Sequence, residues 1–112
     1  MKNEIPDNPI KFIKRCIKEN KIYWTYHVNM RLEKRAITRD MVISSIDNME
    51  IIEEYLGDKY LPSYLLLSRY KSIYFHILIA IDVIEDNIRI ITAYIPDMKK
   101  WEDNFKTRRK RK

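Results

Sequence analysis

Ile73-Tyr74-Phe75-His76-Ile77-Leu78-Ile79-Ala80-Ile81-Asp82-Val83 is the stretch that decides the fold. Its alternate positions 73, 75, 77, 79, 81 and 83 are Ile, Phe, Ile, Ile, Ile and Val. Side chains of a strand point alternately to opposite faces, so this period gives one wholly apolar face that covers a core. The other face carries Tyr74, His76, Leu78, Ala80 and Asp82, too apolar to be fully wet, and is expected to be half covered. The apolar run is about nine residues long, too short to span a bilayer.

Working outward, Asp86 and Asn87 both tolerate positive φ and predict a two-residue hairpin turn. Residues 88–95 return as the last strand, ended by Pro96-Asp97. Upstream, residues 64–70 and 50–56 read as two further strands separated by Gly57-Asp58-Lys59, with Pro62 where its missing N–H costs least. Before Glu50 the period becomes helical. Asn8-Pro9 opens a first helix ending near Asn20, with Ile10, Phe12, Ile13, Cys16 and Ile17 at helical spacing. Thr25 caps a second, to about Arg35, with Val28 and Leu32 as its apolar stripe. Thr38 caps a third, with Asp40 in its first turn and its end near Asn48. A helical turn over 99–105 packs Trp101 back on the body. The expected fold is α+β: three N-terminal helices, then a four-stranded antiparallel sheet in one domain over 1–105, then a basic disordered tail over 106–112.

Composition narrows the function. Gly57 is the only glycine, which excludes dinucleotide and phosphate-cradling loops that need several. Cys16 is the only cysteine, so no internal disulfide and no cysteine zinc cluster can form; it reads as a small core residue. The N-terminus has no apolar signal core, which gives the cytoplasm as the expected compartment. The net charge is +6, and six basic side chains lie in the last seven residues: Lys106, Arg108, Arg109, Lys110, Arg111 and Lys112. Such a block is attracted to polyanions and is a candidate nucleic-acid tether; it is also consistent with a plain solubilising tail.

His27, Arg31 and Arg35 recur at i, i+4 and i+8, which puts them on one helix face about 100° from the Val28–Leu32 stripe. An imidazole can move a proton near neutral pH, and guanidiniums hold phosphate oxygens in a planar fork. The set therefore suits phosphodiester chemistry. The plainer reading is a half-exposed face with the arginines paired to Glu53 or Glu54. His76 reads as a second candidate or as a hydrogen-bonded structural residue. Two histidines without a third ligand do not specify a metal, and none is expected. Thr92 and Tyr94 share one face of the last strand. With a two-residue turn, 81 would face 92 and 79 would face 94, leaving Thr92 and Tyr94 on the core face and His76 on the other; a bulge would reverse this.

The run Tyr26-His27, Arg31, Leu32, Arg35, Ile37-Thr38, then Glu50-Ile51-Ile52-Glu53-Glu54-Tyr55, Pro62, His76, and Ile91-Thr92-Ala93-Tyr94-Ile95-Pro96-Asp97 with Trp101, resembles the domain-of-unknown-function family numbered 4258. That family in turn resembles the small RNase toxins of the RelE and barnase-like fold group. The resemblance implies a cytoplasmic toxin that acts on RNA without metal and is neutralised by an antitoxin protein; as a nuclease it would cleave through the RNA 2′-hydroxyl, and no cofactor and no membrane partner are expected. Carried over by position, His27, Arg31, Arg35, His76, Thr92 and Tyr94 are the candidate catalytic set. Two other readings stay open: a non-catalytic nucleic-acid-binding module, and a protein-interaction domain that uses the open sheet edge.

Overall fold

A computed structural model describes residues 4–57 and 60–110. In chain order the elements are α1 (Pro9–Lys18), β1 (Ile22–Trp24), α2 (Tyr26–Lys34), α3 (Arg39–Ser44), a 3-10 turn (Ile46–Asn48), β2 (Glu50–Tyr55), β3 (Ser63–Tyr70), β4 (Ile73–Asp82) and β5 (Asn87–Tyr94). The expected caps are present. Lys11 N–H donates to Asn8 Oδ1 at 3.1 Å, Val28 N–H to Thr25 Oγ1 at 3.1 Å, and Met41 N–H to Thr38 Oγ1 at 3.0 Å. Each satisfies a donor that the first helical turn leaves without an intrahelical partner.

The sheet has five strands, not four, in the order β1-β5-β4-β3-β2. The unexpected strand is β1, which runs parallel to β5 with Ile22 facing Ile88 and Trp24 facing Ile90. Three residues are too few to display a period, and their partner strand lies far along the chain, so no local pattern announces them. The remaining pairings are antiparallel. One face of the sheet packs against the helices. Phe75, Ile77, Ile79 and Ile81 of β4 meet Ile13, Cys16 and Ile17 of α1, Val28 and Leu32 of α2, and Met41 and Val42 of α3 in one buried cluster. No helix among the described residues is long and apolar enough to cross a membrane.

The last hairpin departs from the expected two-residue turn. Asp82 faces Asn87 and Ile81 faces Ile88, so residues 83–86 form the turn, with Asp86 at φ 55°. Asp82 accounts for the longer loop: its Oδ1 accepts from Glu85 N–H at 3.0 Å. Two strands also carry bulges. On β5, Leu78 faces Thr92 while Ile79 faces Ile90, which leaves Ile91 as the extra residue. On β2, Ile51 faces Leu66 while Glu53 faces Leu65, which leaves Ile52 extra. Each bulge reverses which side chains point where beyond it.

The C-terminal segment also differs from expectation. Residues 97–101 form one hydrogen-bonded turn rather than a helix over 99–105, with Lys100 and Trp101 N–H both donating to Asp97 C=O. Instead of extending as a solvated tail from residue 106, the chain folds back, and Trp101 bridges Arg108 in antiparallel fashion. Arg111 and Lys112 lie outside the described residues.

The β4–β5 turn is tied to α1 by charge. Asp86 accepts from Arg15 and, at 2.7 Å, from Lys21 Nζ. Hydrogen bonds from these two cations hold its carboxyl well below the usual range, at about 2. A lowered carboxylate pKa contributes stability that is present above the unfolded value near 3.8 and is lost as pH falls through about 2. Asn tolerates the same left-handed backbone, so Asp86→Asn isolates the charge. It should lower Tm at pH 7, and the difference from wild type should close as thermal scans approach pH 2.

Candidate functional site

The outer face of the sheet, away from the helices, is assembled by the two bulges. Before Ile91, β5 sends Ile88 and Ile90 into the core; after it, Ala93 is the core residue, and Thr92 and Tyr94 point outward. Thr92 then faces Leu78, and Tyr94 faces His76. The β2 bulge similarly turns Glu53 and Tyr55 to the outer side, opposite Leu65 and Ser63. Outward-pointing Leu65 and Leu67 are nonetheless buried, because the C-terminal segment covers part of this face.

His76 is the centre of that covered region. It is fully buried. Its Nε2 lies 2.7 Å from Phe105 C=O and its Nδ1 3.2 Å from Tyr94 Oη. A carbonyl can only accept, so Nε2 carries the proton, and Nδ1 accepts from the Tyr94 hydroxyl. Trp101 packs edge-on against the imidazole at 4.4 Å between centroids. Phe105, at φ 63°, occupies the left-handed region, which costs a bulky residue about 1–2 kcal/mol. The bond from His76 and the stacking of its ring on Tyr74 at 4.9 Å hold it there. Burial pushes the His76 pKa down and the Tyr94 hydroxyl pKa up. His76 is thus a neutral anchor for Tyr94 and the C-terminal segment rather than a group facing solvent.

Acidic side chains of β2 complete the anchorage. Arg108 donates to Glu53 through Nε at 2.8 Å and Nη2 at 3.0 Å, a two-point pairing in which geometry adds to charge. Its guanidinium lies over the Trp101 ring at 4.5 Å. Tyr55 Oη also donates to Glu53. These contacts hold the Glu53 carboxyl below its usual range, chiefly through Arg108, and raise Arg108 in turn. Lys106 pairs with Glu50 at 3.0 Å, and Arg109 with Glu102 and Asp103 at 3.1 and 3.2 Å. Much of the basic block is therefore engaged with the domain's own carboxylates; Lys110 is exposed.

The α2 residues lie along the neighbouring edge. Because β1 covers β5 only as far as Ile90, the chain after Thr25 continues as α2 beside the rest of β5. Arg35 does not pair with Glu53 or Glu54. Its Nη1 donates to Thr92 Oγ1 at 3.2 Å and to Ala93 C=O at 2.9 Å. His27 is exposed and lines a cavity of about 520 Å³ together with Thr25, Tyr60, Leu61, Ala80, Arg89, Ile90 and Ile91. Arg89 points to the outer face, steadied by Asp82 Oδ2 at 3.0 Å. The α2 backbone passes through Arg31, but the side chain of Arg31 lies outside the described residues.

The structure therefore groups His76, Tyr94 and Thr92 on one face, reaches Thr92 from α2 through Arg35, and sets His27 in a separate groove with Arg89. His27 and His76 do not share a cavity. Sequence reasoning missed Arg89, Glu53, Tyr55 and Phe105. For Arg89 the signal was parity: a two-residue turn and the observed four-residue turn both send it to the outer face, the face of Ala80 and His76, but no spacing along the chain links it to His27. Among the described residues, no three His, Cys, Asp or Glu side chains converge as metal ligands.

The buried imidazole makes a pH prediction. The unfolded chain takes up this proton near pH 6.5, whereas the folded chain resists until lower pH. Stability is then full above about pH 6.5 and falls as pH drops through that value toward the folded pKa. His76→Gln keeps a donor for Phe105 C=O but cannot titrate. Denaturant unfolding at pH 7.5 and 5 should show wild type losing more stability than His76→Gln; equal losses would contradict the neutral buried imidazole.

No curated protein and no solved structure matches this chain. The family model described as Domain of unknown function (DUF4258) matches residues 24–95, from the last residue of β1 through the end of β5. That span contains α2, both bulged strands and the His76–Tyr94 pair, and it is more than half of the 112 residues. The chain belongs to the DUF4258 family.

Proposed function

We propose that this protein is a metal-independent endoribonuclease of the toxin type, similar in plan to RelE- and barnase-like RNases, with an antitoxin protein as its partner. The observation that carries the reading is the exposed imidazole of His27 in a groove shared with Arg89, on the same α2–β5 edge where Arg35 reaches Thr92. In this reading a single RNA strand runs along that edge. His27 takes the proton from a 2′-hydroxyl, whose oxygen attacks the adjacent phosphorus. The bond from phosphorus to the 5′-oxygen breaks, a 2′,3′-cyclic phosphate forms, and the leaving oxygen takes a proton from solvent water. Arg35 and Arg31 stabilise the charge that builds on the non-bridging oxygens, which is where fixed donors accelerate phosphoryl chemistry most. Arg89 holds a neighbouring phosphate. Tyr94, oriented by His76, positions the strand beside Thr92.

A specific observation favours one other reading. The second imidazole is buried with both nitrogens engaged, which leaves one imidazole in the groove for proton transfer. A non-catalytic RNA-binding domain would use the same basic edge.

Incubation with unstructured RNA in chelator separates the two. The nuclease reading expects fragments ending in cyclic phosphate, with His27→Ala slowing cleavage by about 10²–10⁴-fold and Arg35→Ala by about 10²–10³-fold. RNA that binds but stays intact would support the binding module. Cleavage that persists in His27→Ala at the wild-type rate would remove this site from the account.

A further inference from the structure

Helix α1 presents more apolar surface than the sheet covers. Ile13, Cys16 and Ile17 enter the core, whereas Ile10 and Phe12 stay half-exposed along the flank of the helix. With Pro6 and Val83 they floor a groove of about 820 Å³. Ile5 and Ile84, next in the chain to the lining residues Pro6 and Val83, are 52% and 62% exposed. Exposed aliphatic side chains gathered at one concavity mark an interaction site more often than scattered ones do.

The rim is basic. Lys11, Lys14 and Lys18 line the groove at i, i+3 and i+7, one face of the helix, and none of their ammonium groups has an ion pair among the described residues. The neighbouring cations Arg15 and Lys21 are already taken by Asp86 and Glu19. Asp7 is the one lining carboxylate left without an ion pair among the described residues, so the free charge of the rim is positive.

We propose that this groove docks an acidic amphipathic helix of a partner protein. Apolar side chains of such a helix at i, i+3, i+4 and i+7 would fill the Ile10–Phe12–Val83 floor, and its flanking carboxylates would meet Lys11, Lys14 and Lys18. RNA fits less well. The floor offers one aromatic ring, Phe12, and the Arg15 guanidinium already lies over it at 5.0 Å, so there is no open platform for a base. A flat anionic bilayer would reach the lysine rim but not the concave floor. The inference is independent of the nuclease reading, since α1 lies outside the family-matched span of 24–95.

The test uses the full chain, labelled with ¹⁵N, and a synthetic helical peptide about four turns, or roughly 15 residues, long. The peptide carries Leu at the i, i+3, i+4, i+7 positions and Glu on the flanks. A second peptide keeps the Leu and replaces Glu by Lys. The proposal expects saturable shifts at Ile10, Phe12, Lys14, Lys18 and Val83 with the acidic peptide, and at least about tenfold weaker binding of the basic one. The triple variant Lys11→Glu, Lys14→Glu, Lys18→Glu and the single variant Ile84→Glu should each weaken the acidic peptide by about tenfold or more while Tm stays near wild type. No saturable binding, equal binding of both peptides, or shifts away from α1 would overturn the proposal. So would shifts at these residues caused by oligouridine or by phosphatidylserine-containing vesicles but not by the acidic peptide.

Discussion

Two extra residues, Ile91 in β5 and Ile52 in β2, decide what the outer face of this sheet can do. A strand's side chains alternate strictly, so one unpaired residue exchanges the two faces for everything beyond it. Without the bulge at Ile91, Thr92 and Tyr94 would join Ile88 and Ile90 in the helix-covered core. With it, Tyr94 stands beside His76, and Ala93 fills the core position instead. The β2 bulge does the same for Glu53 and Tyr55. The two bulges thereby bring a phenol from β5 and a carboxylate from β2 to the face on which β4 already presents the His76 imidazole.

That polar set is stable because it is covered and paired. His76 is buried with both ring nitrogens bonded, which offsets the cost of removing them from water. The cover is the C-terminal segment, held by the Phe105 carbonyl, Trp101 and the Arg108–Glu53 pair. The acidic strand β2 and the basic C-terminal block are therefore complementary surfaces of one molecule. The edge along α2, with His27, Arg35 and Arg89, remains open beside this closed region, and it is where the proposed RNA chemistry is located.

The legible parts of the fold were those with a local signature. The alternation through β4 gave the core strand and its apolar face, and Asn8, Thr25 and Thr38 marked three helix starts because a short polar side chain there satisfies an exposed N–H. The i, i+4 spacing of Val28 and Leu32 marked the buried stripe of α2. What was not legible depends on partners distant in the chain. Strand β1 exists through its pairing with residues 88–90. The bulges leave no mark in composition, and the four-residue turn depends on Asp82 receiving Glu85 N–H. The C-terminal block looked like a solvated tail because its charges repel one another, and the carboxylates that pair with Lys106 and Arg108 lie far back in the chain on β2.

Interstrand NOEs between β4 and β5 are the decisive measurement, because the outward placement of Thr92 and Tyr94 follows from that register. The bulged pairing gives cross-strand contacts linking His76 with Tyr94, Leu78 with Thr92 and Ile79 with Ile90, together with a His76 ring protonated at Nε2. Contacts linking Ile79 with Tyr94 and Ile81 with Thr92 would mean an unbulged hairpin. Tyr94 and Thr92 would then face the helices, and the site described at His76 would not exist.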